Sequence, residues 1–115
     1  MGDFKQLQVW QRSIAFATRI DRLALALVQQ RRFGMADQIR RAAESIGTNL
    51  AEGCGRGTPG EMRQYTRIAR GSAHEVESLL LQAKSLRCMA EGDWHALYGD
   101  ISEIGRMLTG LLRSI

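Results

Sequence analysis

Proline occurs once, at Pro59, aromatic residues make up only 6% of the chain, and no stretch alternates β-branched and polar residues for long enough to form a strand. Strands draw on β-branched and aromatic side chains, so these shortages argue against a sheet and for an all-α protein. Long apolar runs are also missing. The longest, Leu23 to Val28, has six residues, far short of the roughly 20 that span a bilayer. The N-terminus lacks the charged-then-apolar pattern of a secretion signal. No membrane association is expected, and the expected setting is the cytoplasm. Cys54 and Cys88 are the only cysteines, 34 residues apart and outside any C-x-x-C pair, which suits free thiols in a reducing compartment better than a disulfide or a metal site.

The chemistry of a bundle enzyme is equally hard to find. A di-iron centre needs Glu-x-x-His motifs, but the residues three before His74 and His95 are Gly71 and Gly92. His74-Glu75 does not extend to H-E-x-x-H, because position 78 is Ser. No serine or cysteine has a base and an orienting acid at diagnostic positions. Gly55-Arg56-Gly57-Thr58-Pro59-Gly60 fits G-x-G-x-x-G, yet that fingerprint works after a strand and here follows a helix. The expectation is a non-enzyme without metal or cofactor.

Apolar residues recur at helical spacing through one domain, residues 1–115. In the first helix, expected from Asp3 to about Arg31, Val9, Ser13, Phe16, Ile20, Leu23 and Leu27 form a seam, with Asp3 and Gln6 as a capping box. Gly34 is expected to end that helix. The second helix is expected from about Ala36 to Gly53, with a seam of Ile39, Ala43, Ile46, Leu50 and Gly53. Gly47 lies inside it with no capping role, so either the backbone bends there or something packs closely. A loop is expected over 53–58, followed by a strong start at Thr58-Pro59 with Glu61 at the third helical position. The third helix is expected to reach about Ala90, along a seam of Met62, Tyr65, Ala69, Ser72, Val76, Leu79, Ala83 and Leu86. Gly92 then stops it and Asp93 caps a fourth helix carrying Leu97, Ile101, Ile104, Leu108, Leu111 and Ile115. Short connections between amphipathic helices give an antiparallel up-down-up-down four-helix bundle.

The second helix carries a further, polar stripe: Gln38, Arg41, Ser45, Asn49 and Glu52. Such groups either face solvent or build hydrogen-bonded networks between helices or subunits. Charge is lopsided as well. The net formal charge is +4, and residues 1–70 hold 12 of the 16 basic side chains against 6 of the 12 acids; 14 of the basic residues are Arg, whose planar fork suits phosphate. Arg63, Arg67 and Arg70 make a basic edge on the third helix, Arg56 precedes it, and Arg31, Arg32, Arg40 and Arg41 bracket the first connection. Arg12, Arg19 and Arg22 make another row, and Arg40 is spaced to pair with Glu44. These rows make RNA or DNA candidate partners, bound electrostatically and without marked sequence preference.

Several blocks in order resemble the ribosomal RNA intervening-sequence protein family of four-helix bundles. They are Phe4 with Leu7, Val9, Trp10 and Gln11; Gly34 before Gln38-Ile39-Arg40-Arg41-Ala42; Ser45-Ile46 with Asn49 and Ala51-Glu52-Gly53; Arg56; and Ile68-Ala69 with Gly71-Ser72 and Glu75. The resemblance implies a small bacterial, cytoplasmic, non-enzymatic protein that assembles as a homo-oligomeric ring, with a homopentamer preferred. It also implies a link to accessory proteins of diversity-generating retroelements, which associate with a reverse transcriptase and bind nucleic acid. It makes Asn49, Glu52, Gly53, Ser72 and Glu75 helix–helix or subunit contacts, with Arg41 a candidate partner for Glu75. The sequence departs from the family at Gly47, where Pro is common. The rival expectation is a protein-binding scaffold without nucleic-acid binding.

Overall fold

The computed structural model describes residues 2–115, and its described residues form four antiparallel helices: α1 Gln8–Gln29, α2 Phe33–Arg56, α3 Pro59–Ser85 and α4 Glu91–Ser114. The bundle measures 44 × 21 × 19 Å. Helix α2 packs closely on both α1 and α3, α3 packs on α4, and α1 and α4 close the bundle more loosely. The seams expected for α1 and α2 are buried at every position, from Val9 to Leu27 and from Ile39 to Gly53. Ala36, Ala42, Ala43, Gly47 and Gly53 keep the buried side of α2 slim, which is why it approaches two neighbours at once.

The helix ends differ from the sequence expectation, and each difference has a local cause. Asp3 accepts from the Lys5 amide and caps a short 3-10 turn, Phe4–Gln6, and not α1. Leu7 is extended, so α1 starts at Gln8; Gln11 Nε2 donates to the Lys5 carbonyl, and Phe4 packs edge-on against Trp10. The loop expected over 53–58 is largely helix: α2 runs on to Arg56, and Gly57, at φ 84°, makes the turn. Thr58 caps α3 as expected, its Oγ1 accepting from the Glu61 amide.

Gly34 and Gly92, expected as helix stops, lie inside the first turns of α2 and α4. Arginines take the stopping positions. At the end of α1, Arg31 has φ 62°, its N–H donates to the Val28 carbonyl, and the Arg32 N–H donates to the Leu27 carbonyl. At the end of α3, Arg87 has φ 53°, with the Arg87 N–H on the Lys84 carbonyl and the Cys88 N–H on the Ala83 carbonyl. Both are the paired closing bonds of a Schellman motif, whose left-handed position glycine fills without strain. The left-handed conformation costs an L-residue about 1–2 kcal/mol, while a cation at a helix C-terminus returns about 0.3–1 kcal/mol. Arg31→Gly and Arg87→Gly are therefore each expected to raise stability by about 0.5–1 kcal/mol in urea denaturation; a loss of stability in both would refute the strain argument.

Candidate nucleic-acid interface

Helix geometry separates the expected arginines before any chemistry is considered. The 24 residues of α2 span about 36 Å, with Arg31 and Arg32 before one end and Arg56 at the other. The near end, where the α1–α2 and α3–α4 turns meet, also carries Arg87. Arg56 and Arg63 belong to the far end, and Arg67 and Arg70 lie further along α3. The eight expected residues thus do not share one surface of a single subunit.

Ion pairs divide them further. Arg40 contacts Asp37 at 3.0 Å and Glu44 at 3.4 Å, and Arg41 contacts Asp37 at 3.0 Å. Arg41 therefore pairs within its own helix and not with Glu75, because Asp37 lies one turn before it. Arg56 contacts Glu52 at 2.9 Å and lies over the Tyr65 ring; its hydrogen bond to Glu52 holds its already high pKa higher still. Arg63 donates to the Ile115 carbonyl at 3.1 Å and Arg70 to Thr109 Oγ1 at 3.5 Å, so both lean on α4. Among the described residues, Arg31, Arg32 and Arg67 have no carboxylate within 4.0 Å, and Arg32 Nε is buried without a hydrogen-bond partner. In the helix 1 row, Arg12 and Arg19 both meet Asp100 of α4, which leaves Arg22 unpaired.

The polar stripe splits in the same way. Ser45 Oγ meets Ser72 Oγ at 2.8 Å across α2 and α3, and Asn49 Nδ2 donates to both the Ser45 carbonyl and Ser45 Oγ. Asn49 and Ser72 thus belong to one half-buried cluster. Gly53 is a close contact of a different kind: a Cβ there would lie 2.9 Å from Tyr65 Cβ. Glu52 and Glu75 are exposed and outside the cluster.

An indentation of about 450 Å³ between α1 and α4 is bordered by Arg22, Leu23, Ala26, Gln30, Met89 and Leu97. Cys88 and Asp93 also border it, but the Cys88 thiol is buried and donates to the Ala83 carbonyl at 3.4 Å. Both cysteines are buried, and burial pushes the Cys54 thiol up, which suppresses its reactive thiolate. Among the described residues no three His, Cys, Asp or Glu side chains gather at metal-binding distances. No described helix is long and apolar enough to cross a membrane.

At Gly55–Gly60, the segment that fits G-x-G-x-x-G, Thr58 Oγ1 takes the Glu61 amide and Arg56 is paired with Glu52. Arg87 is the residue that sequence reasoning missed. Carrying the third helix through to Ala90, on a seam that took in Leu86, placed it mid-helix, and no residue type in Leu86-Arg87-Cys88 marks a stop.

The class is therefore a small all-α four-helix-bundle protein with unneutralised arginines and exposed apolar side chains. The chain belongs to the 23S rRNA-intervening sequence protein family, whose model matches residues 5–110. Its fold is similar to the crystal structure of a protein of unknown function from the S23 ribosomal protein family of Bacteroides thetaiotaomicron. The two are 28% identical, with a TM-score of 0.86 over 90% of this chain and 97% of that one. No protein with a curated description matches.

Proposed function

We propose that this protein is a non-enzymatic homo-oligomer that binds nucleic acid electrostatically, with a ring of five subunits as the preferred assembly. The observation that carries the reading is the set of arginines without a carboxylate partner, in a chain of net charge +4. Phosphates can neutralise those guanidinium groups by displacing condensed counterions. One subunit presents few of them, and a ring repeats them, so that weak contacts add as avidity. Exposed Leu25 and Val28 on α1, with Leu81 on α3 and Leu86 just past its end, supply apolar area for subunit contacts, and the Ser45–Asn49–Ser72 cluster supplies polar ones. A cytoplasmic role beside a ribosomal RNA locus or a reverse transcriptase fits this reading.

The test is fluorescence anisotropy with a structured RNA and a duplex DNA across a salt series. Binding is expected to both, weakening steeply and log-linearly with salt. Binding to neither at low salt would overturn the proposal. It would favour a protein-binding scaffold, a reading that the 66% exposure of Leu25 and 56% exposure of Phe33 also accommodates.

A further inference from the structure

Two ends of the same bundle are built from different residues. The single turn at the far end uses Gly57 in the left-handed conformation, whereas both turns at the near end use arginine there, Arg31 and Arg87. They are the only non-glycine residues with positive φ among those described. Both side chains are exposed, and a hydrogen bond from Gln30 Nε2 to the Cys88 carbonyl at 2.8 Å ties the two turns together. A conformation that favours glycine has thus been given twice, at one end, to a long cation.

Charge accounting marks the same end. Among the described residues, Arg31, Arg32 and Arg87 have no carboxylate within 4.0 Å, and neither has Arg22, which lines the α1–α4 indentation beside Gln30 and Cys88. The nearby acids do not cancel this surplus: Asp37 is held by Arg40 and Arg41, which leaves Asp21, Glu91 and Asp93 against the four arginines. Phe33, directly after Arg32, is the only exposed Phe, Tyr or Trp among the described residues. Exposed aromatic faces beside unpaired arginines are the parts from which single-strand binding surfaces are made, because every base has a face to stack and every nucleotide a phosphate to neutralise.

We infer that the near end, with Arg31, Arg32 and Arg87 flanked by Arg22, is the face that contacts nucleic acid, and that it takes unpaired nucleotides, with Phe33 stacking on a base. The inference rests on the nucleic-acid reading above and narrows it to one face and one class of strand. In a cyclic oligomer all copies point the same way along the axis, so these ends fall on one side of the assembly and form a repeated rim.

The left-handed backbone supplies a test in which structure and function move in opposite directions. The probes are a short single-stranded RNA, the matching single-stranded DNA and a duplex of the same length. The Arg31→Gly/Arg87→Gly variant is expected to melt higher than wild type yet bind the single strands on the order of ten-fold more weakly, with a salt slope shallower by about 0.7 per charge removed. Arg31→Lys keeps the charge and is expected to keep binding. Phe33→Ala is expected to weaken single-strand binding by about ten-fold without changing the salt slope, and Arg40→Gln, which removes a neutralised charge, to leave it unchanged. RNA and DNA strands that bind alike point to phosphate and base alone, and a preference for RNA adds a contact to the 2′-hydroxyl.

If the double glycine variant is more stable and binds as wild type does, the face is wrong while nucleic-acid binding stands. Duplex bound as tightly as single strands, together with an unaffected Phe33→Ala variant, would overturn the choice of unpaired nucleotides. Wild-type protein that binds none of the probes would remove both readings.

Discussion

Replacing Trp94 with alanine is expected to destabilise the protein by about 3–5 kcal/mol, lowering the melting midpoint by roughly 10–20 °C for a domain of this size. Trp94 is only 6% exposed at the start of α4 and joins three interactions. Its Nε1–H donates to the Leu80 carbonyl on α3 at 2.6 Å, its ring stacks on Tyr98 at 4.7 Å, and Lys84 Nζ lies 4.2 Å from the ring centre. The hydrogen bond to Leu80 and the Lys84 contact fasten the start of α4 to the last turns of α3, close to Arg87, while the Tyr98 stack lies within α4. Trp94→Phe keeps most of the buried area and loses the hydrogen bond, so a cost nearer 1–2 kcal/mol is expected. Thermal and urea denaturation at fixed protein concentration give both values. A loss below about 1 kcal/mol for the alanine variant would mean that α4 is not anchored through this residue.

Gly53→Val is expected to cost at least about 3 kcal/mol, and Gly53→Ala about 1–2 kcal/mol. A Cβ at position 53 would lie 2.9 Å from Tyr65 Cβ, 3.1 Å from Met62 Sδ and 3.5 Å from Met62 Cα. Two of those atoms are fixed to, or part of, the α3 backbone, so relief requires the helices to separate. Gly47 provides the internal comparison. Its added Cβ would meet Ile14 Cδ1 at 2.9 Å, but that atom ends a flexible side chain that is 43% exposed and can swing outward. Gly47→Ala also gains about 1 kcal/mol of helix propensity. Its expected net effect is within about 1 kcal/mol of zero. Equal costs at the two positions would contradict this account of how α2 sits between its neighbours.

Elements with a strict apolar period were legible from residues alone. The α1 seam from Val9 to Leu27 and the α2 seam from Ile39 to Gly53 are buried throughout because spacing by itself determines which side of a helix faces inward. Helix ends were less legible. Glycine reads as a stop signal, but Gly34, Gly53 and Gly92 are helical, while the stops at Arg31 and Arg87 depend on backbone closure that no arginine advertises. In α3, Thr66 is fully buried because its Oγ1 bonds the Met62 carbonyl at 2.7 Å. The expected seam residues Tyr65 and Ser72 are half-buried, and Leu86, lying past the helix end, is exposed.

The candidate site was legible as composition and not as place. An excess of arginine is visible in the sequence, but which guanidinium is neutralised depends on partners that only the fold supplies. Asp100 lies 81 residues from Arg19 and engages both Arg12 and Arg19. Asp37, one turn away from Arg41, takes that residue before Glu75 can. Half of the expected polar contact, Asn49 with Ser72 through Ser45, assembles across two helices, while Glu52 turns to Arg56.

The most direct test of the proposed function is the mass in solution of nuclease-treated protein by light scattering, alone and with single-stranded RNA at low and high salt. The account predicts a mass near that of a pentamer that gains bound RNA at low salt and releases it at high salt without dissociating. A monomer, or an oligomer whose mass is unchanged by RNA at low salt, would contradict it.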